Sequence, residues 1–138
     1  MIQFNYETNF KLGNEDVLKN WISTCIESHG FKEGELNYIF CDDEYLLKLN
    51  IEFLNHDTFT DILSFDYTLG KLISGDVFIS IERVKDNANK FTQSLDNELN
   101  RVIIHGVLHF MGYHDKTAEE KVIMRNAEDK CLTLLKSY

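Results

Sequence analysis

The sequence predicts an α+β fold: a single domain over residues 1–138, built on one mixed four-stranded sheet with about five helices. Three observations predict it. Two runs alternating apolar and polar side chains enclose a stripe of helical period near the start, a strand-helix-strand unit, and two β-rich runs around Gly70 read as an antiparallel hairpin. The last third carries helical periodicity only, so its helices are expected to lie across the sheet. A chain of 138 residues buries about two thirds of its unfolded surface without staples, so no second domain is required.

The first strand is expected over Ile2 to Glu7, with Ile2, Phe4 and Tyr6 on one face. Asn14 is placed to cap a helix whose Val17, Leu18, Trp21, Ile22, Cys25 and Ile26 recur as a buried stripe, and Gly30 to stop it. Leu36, Tyr38 and Phe40 alternate as a strand; Asp42 or Asp43 then caps a helix carrying Leu46, Leu47, Leu49 and Phe53. After a loop from Asn55 to Thr60, Ile62–Tyr67 and Leu72–Ile79 form the hairpin. Ser80 caps a helix with Ile81, Val84, Ala88 and Phe91 on its apolar face, and Ser94 caps the next, from about Leu95 to Met111. Thr117-Ala118-Glu119-Glu120 is a capping box opening a last helix, with Val122, Ile123, Ala127, Cys131, Leu134 and Leu135 inward.

Composition narrows the class. Hydrophobic residues at 43% and charged residues at 27% are ordinary for a globular protein. No apolar run reaches the roughly 18 residues of a membrane span, and the N-terminus lacks the basic flank and apolar core of a signal peptide. A cytoplasmic protein with no membrane partner is expected. Cys25, Cys41 and Cys131 are odd in number and set in apolar patterns, which suits reduced core thiols. A formal charge of −9 argues against broad electrostatic adhesion to nucleic acid, though not against a local basic groove.

Residues 105 to 115, His-Gly-Val-Leu-His-Phe-Met-Gly-Tyr-His-Asp, concentrate the chemistry on a helix in the C-terminal third. His105 and His109 project about 40° apart and roughly 6 Å apart along a helix axis, on one face. Gly112 offers a helix stop, so the chain turns back and brings His114 or Asp115 to the same place. Two histidines on a helix apolar nearly all round need partners for their nitrogens, and a metal ion supplies them. His29 and His56 have no such company and are read as surface residues. Three protein ligands with a fourth position open to water describe a catalytic zinc site, in which the bound water approaches a pKa of about 7 and becomes a hydroxide nucleophile. Gly106 stands where a helical zinc peptidase carries its glutamate base, which argues against that chemistry. A glycine in mid-helix also indicates close approach by another backbone or a substrate, or tight packing.

The stretch His105-Gly106-x-x-His109-x-x-Gly112-Tyr113, with Thr60-Asp61-Ile62-Leu63-Ser64-Phe65 and Gly75-Asp76-Val77-Phe78-Ile79-Ser80, resembles the YbeY family of bacterial endoribonucleases and ribosomal RNA maturation factors, from about Leu36 onward. The resemblance implies a single metal-dependent hydrolase domain binding one zinc ion and cleaving single-stranded ribosomal RNA. It implies 3′-end maturation of small-subunit (16S) RNA and ribosome quality control, with the small subunit as partner and no DNA. The family pattern ends Gly-Tyr-Asp-His with its last histidine as third ligand. Here the order is His114-Asp115, so position by position the metal set becomes His105, His109 and Asp115. Where the family commonly carries an arginine before Thr60-Asp61, this chain has Leu54. Arg101, four residues before His105, is the candidate catalytic replacement, able to contact a phosphate; the competing reading pairs it with Glu98. Asp61 and Asp76 are expected to serve turns and helix ends, Asp76 also as a possible orienter of a ligand histidine. The alternative function is a ribosome-associated assembly factor with a mainly structural metal and little nuclease activity. A zinc hydrolase of amides or small molecules ranks last.

Overall fold

The computed structural model describes all residues from Met1 to Tyr138. In chain order its elements are β1 (Ile2–Tyr6), α1 (Glu15–Ser28), β2 (Lys32–Cys41), α2 (Asp43–Leu54), β3 (Ile62–Asp66), β4 (Leu72–Ser80), α3 (Ile81–Lys90), α4 (Leu95–Phe110) and α5 (Ala118–Leu135). The four strands make one mixed sheet in the order β1-β2-β4-β3. β1, β2 and β4 run parallel, and β3 returns antiparallel to β4 with Ile62 opposite Ile79 and Asp66 opposite Gly75.

The side-chain period of two divides the sheet into unequal faces. Leu36, Tyr38 and Phe40 of β2 and Ile73, Val77 and Ile79 of β4 share the main core with α1, α4 and α5. The other face carries a small cluster of Cys41, Leu46 and Leu63, over which α2 lies with Leu49, Phe65 and Phe78 at its margin. Two polar groups fasten the main layer without leaving buried donors unmet: Trp21 Nε1 donates to the Cys131 carbonyl at 2.6 Å and Tyr38 Oη to the Ile103 carbonyl at 3.0 Å. All three cysteines are free and buried, as expected of core thiols.

Helix ends follow the expected chemistry with one exception. The side chains of Asp42, Ser80, Ser94 and Thr117 accept from the backbone N–H three residues on, and Thr117 with Glu120 completes the capping box. Asn14 holds the corresponding place before α1 but makes no cap bond. Gly30 has φ +81°, and the bonds Gly30 N–H to Glu27 and Phe31 N–H to Ile26 close α1 in a Schellman turn.

α5 departs from expectation. Val122 and Ile123, predicted inward, are 60% and 57% exposed, whereas Met124, Ala127, Glu128 and Cys131 face the core. These four form a stripe at three-and-four spacing, but one member is a carboxylate, so a search for apolar periodicity settles on the wrong face. Phe91 and Phe53, also read as apolar-face residues, are exposed. His29 is not a free surface group: it is half-buried, its Nδ1 lies 2.7 Å from the Cys25 carbonyl oxygen, and its ring stands edge-on to Tyr113.

Candidate metal centre

α4 is buried on almost every side because it crosses the sheet at Gly106. A Cβ there would lie 3.1 Å from Val77 Cγ1 and 3.2 Å from Ile62 Cδ1, so the glycine marks tight packing against side chains of β4 and β3. From Val102 to Phe110 only His105 and His109 retain appreciable exposure. The helix therefore offers both imidazoles on its single open edge, as the four-residue spacing requires.

The turn after α4 brings the third group. Gly112 has φ +100°, and bonds from Gly112 N–H to the His109 carbonyl and from Tyr113 N–H to the Leu108 carbonyl reverse the chain. Asp115 Oδ2 then lies 3.1 Å from His105 Nε2 and 3.3 Å from His109 Nε2, and the two Nε2 atoms are 3.0 Å apart. His114 points elsewhere, into a cavity with Met111, Tyr113, Glu120 and Ile123. Between the two candidates for third ligand, the fold brings Asp115 to the histidines.

Both rings are held from behind. His109 Nδ1 donates to the Tyr113 carbonyl at 3.0 Å, and since a carbonyl only accepts, Nε2 is left with its lone pair. His105 Nδ1 lies 2.6 Å from Glu128 Oε2, and Arg101 Nη1 holds the other carboxylate oxygen at 2.9 Å. With both imidazoles neutral, two lone pairs and an anionic oxygen converge on one point, an arrangement that a bound cation, or a proton on His105, relieves. Zinc–ligand bonds of about 2.0–2.1 Å in a tetrahedron put neighbouring ligand atoms about 3.3 Å apart. The observed triangle is close to that, and the three residues form a group able to hold a metal ion. In the metal-free chain burial alone would lower the His105 pKa; the Glu128 bond and the charges of Glu128, Asp115 and Asp61 outweigh it and hold the imidazolium above its ordinary value.

Several placements depart from expectation. Glu128, which sequence reasoning missed, is the group behind His105; the signal available was an acid one helical turn after Met124 within an inward stripe. Asp76 instead accepts from Asn37 Nδ2 at 3.2 Å and touches no histidine. Asp61 does serve a junction, its carbonyl accepting from Ser80 N–H, but its side chain also lines cavities with His105 and Asp115. Burial pushes its carboxyl up against the opposing charge of His105. Arg101 does not pair with Glu98: its two terminal nitrogens hold Glu128 and Asp129 at 2.9 and 2.8 Å, and its side chain is 14% exposed.

A groove of about 580 Å³ runs past the triangle along β3, with Leu54, Ser64, Asp66, Phe110 and Lys116 on its walls. Leu54, the residue in the place of the expected arginine, therefore does face the site. No helix is long and apolar enough to cross a membrane.

Comparison with known proteins agrees with this geometry. Residues 2–136 match the family described as Endoribonuclease YbeY. The chain is 56% identical over 134 residues to the Endoribonuclease YbeY of Flavobacterium johnsoniae, covering 97% of this chain and 96% of that one. It is 46% identical over 136 residues to that of Karelsulcia muelleri, with 99% and 96% covered. The solution structure of a Thermotoga maritima protein superposes with a TM-score of 0.72 over 98% of this chain and 89% of that one, at 24% identity, and shows the same fold. A family match over nearly the whole length, borne by relatives sharing about half their residues with it, makes this chain a member of the endoribonuclease YbeY family.

Proposed function

We propose that this protein is a zinc-dependent endoribonuclease that cuts single-stranded RNA in the cytoplasm, acting on the small ribosomal subunit in 3′-end maturation of its RNA and in ribosome quality control. The observation that carries the proposal is the triangle of His105 Nε2, His109 Nε2 and Asp115 Oδ2, spaced 3.0 to 3.3 Å on the wall of an open groove. Family membership supplies the substrate class. A zinc ion held by these three residues would supply Lewis acidity and lower the pKa of a coordinated water, the chemistry that phosphodiester hydrolysis needs.

The chain's own groups prepare that site. The Tyr113 carbonyl fixes one imidazole and Glu128 the other, so that both Nε2 lone pairs face the same point. Lys116 places a cation on the groove wall, where charge builds on phosphoryl oxygens during attack. Arg101, the proposed phosphate contact, adds positive charge beside His105 while anchored to Glu128 and Asp129.

One observation favours a second reading, an assembly factor that binds RNA without cutting it. Leu54 leaves the groove short of an arginine, and Arg101 has both terminal nitrogens engaged. The two readings separate on a structured RNA with single-stranded ends, incubated with the zinc-loaded protein with and without chelator. Cleavage that disappears with chelator and in His109→Ala is expected; RNA binding with no cleavage under any divalent metal would replace the nuclease reading with the second.

A further inference from the structure

A smaller cavity opens on the other side of the triangle. It shares Asp61, Ile62, His105 and Asp115 with the groove, so a strand that crosses the metal centre from the groove enters it. Its volume is about 260 Å³, just under the roughly 300 Å³ at which small-ligand pockets usually begin. That is room for one flat ring system.

Glu98, on its wall, has no structural partner. The residue is 7% exposed, yet its carboxylate makes no hydrogen bond or ion pair, since Arg101 turns to Glu128 and Asp129 instead. Burial and the charge of Asp61 push the Glu98 carboxyl up against the opposing charges of Arg101 and Arg125. The carboxylate thus lines the cavity without a hydrogen-bonding partner in the chain, its desolvation offset only in part by the charges of Arg101 and Arg125, and is open to a donor that enters the cavity. Arg125 also lines the cavity, is exposed and makes no ion pair.

The mixed lining limits what fits. Four carboxylates line it. Glu128 is held by Arg101 and His105, and Asp115 sits with the two histidines. That leaves Asp61 and Glu98 to repel a phosphate, while the guanidinium groups of Arg101 and Arg125 disfavour a second metal ion. A planar ring with adjacent N–H donors on one edge and acceptors on another satisfies both, and Val102 and Ile62 give apolar surface for its faces. Among RNA bases guanine alone offers neighbouring N1–H and N2–H donors to the two oxygens of one carboxylate, while its O6 and N7 suit an arginine fork. In a single strand both edges are free. We propose that this cavity is a guanine subsite for the nucleotide beside the scissile phosphate, read by Glu98 with Arg125 on the opposite edge. The proposal rests on the endoribonuclease reading above.

The test uses the zinc-loaded full chain and oligoadenylates carrying a single guanosine, inosine or cytidine. Cleavage at a fixed offset from guanosine is expected to exceed that at adenosine about ten- to a hundredfold, the discrimination a bidentate base contact brings. Inosine, lacking the N2 donor, should fall between, and in Glu98→Gln the guanosine-to-adenosine ratio of kcat/KM should approach one with the melting temperature and bound zinc retained. Uniform cutting by the wild type, or a guanosine preference that survives in Glu98→Gln, would overturn the subsite and leave the nuclease standing. If no RNA is cut, titration of the chelated protein with guanosine and adenosine 5′-monophosphates decides independently: tighter guanosine binding lost in Glu98→Gln supports the subsite, and equal or absent binding refutes it.

Discussion

Glu128 and Asp61 illustrate how a single carboxylate serves or burdens this site. Glu128 is buried, bridges Arg101 to His105, and holds that imidazole with Nε2 toward His109 and Asp115. Replacing it by glutamine is expected to weaken zinc affinity about ten- to a hundredfold, measured by competition with a chromophoric chelator. Unchanged affinity would show that the ring is held by packing alone. Asp61 is the converse case, an acid whose pKa is raised chiefly by burial. Such a group does not oppose folding below its unfolded value of about 3.9, and its ionisation does so increasingly as pH climbs through the folded value. Asp61→Asn should therefore raise the urea midpoint of the chelated protein at pH 7, and the gain should vanish below about pH 4. A gain that persists at low pH would assign the effect to packing. Neither role was legible from single residues: an acid in a sequence shows its charge but not the burial or the neighbour that gives the charge a task.

Among the elements, α4 and the turn after it were legible almost completely. The four-residue spacing of His105 and His109, the Ser94 cap and the Gly112 stop are local signals, and each is realised with the expected partner. The turn is also the point of greatest sensitivity, since Gly112 at φ +100° occupies backbone space that L side chains rarely adopt. Gly112→Ala is expected to lose about 1–3 kcal/mol of stability in thermal unfolding and to weaken zinc binding with it, because Asp115 follows that turn. Retained zinc affinity in a destabilised Gly112→Ala would show that Asp115 reaches the histidines by another route. α5 was misread for a physical reason. Its inward stripe of Met124, Ala127, Glu128 and Cys131 contains the carboxylate that partners His105, while Val122 and Ile123 are left to solvent. Apolar periodicity locates a buried face only when the buried face is apolar.

Across the whole molecule, function has to be reconciled with a net charge of −9. Lys116 in the groove and Arg125 at the smaller cavity are the cations with no ion pair beside the metal centre. Single-strand binding loses about 0.7 in log K per log unit of salt for each phosphate neutralised. The slope for this protein is therefore expected to be shallower than about −2, measured by fluorescence anisotropy on a short oligomer between low and physiological salt. A steep slope would reveal a basic surface elsewhere on the molecule. The succession of strands and helices along the chain, four of the five helix caps, the hairpin and the helix-borne histidine pair were determined by the sequence itself, because each depends on residues within a few positions of one another. The tertiary structure alone decided that Glu128 stands behind His105, that Asp61 and Glu98 share a cavity with His105 and Asp115, and that Asp76 does not. Those groups stand up to 54 positions apart in the chain, and only the packing of α4 and α5 against the sheet sets the distances and the desolvation on which their chemistry depends.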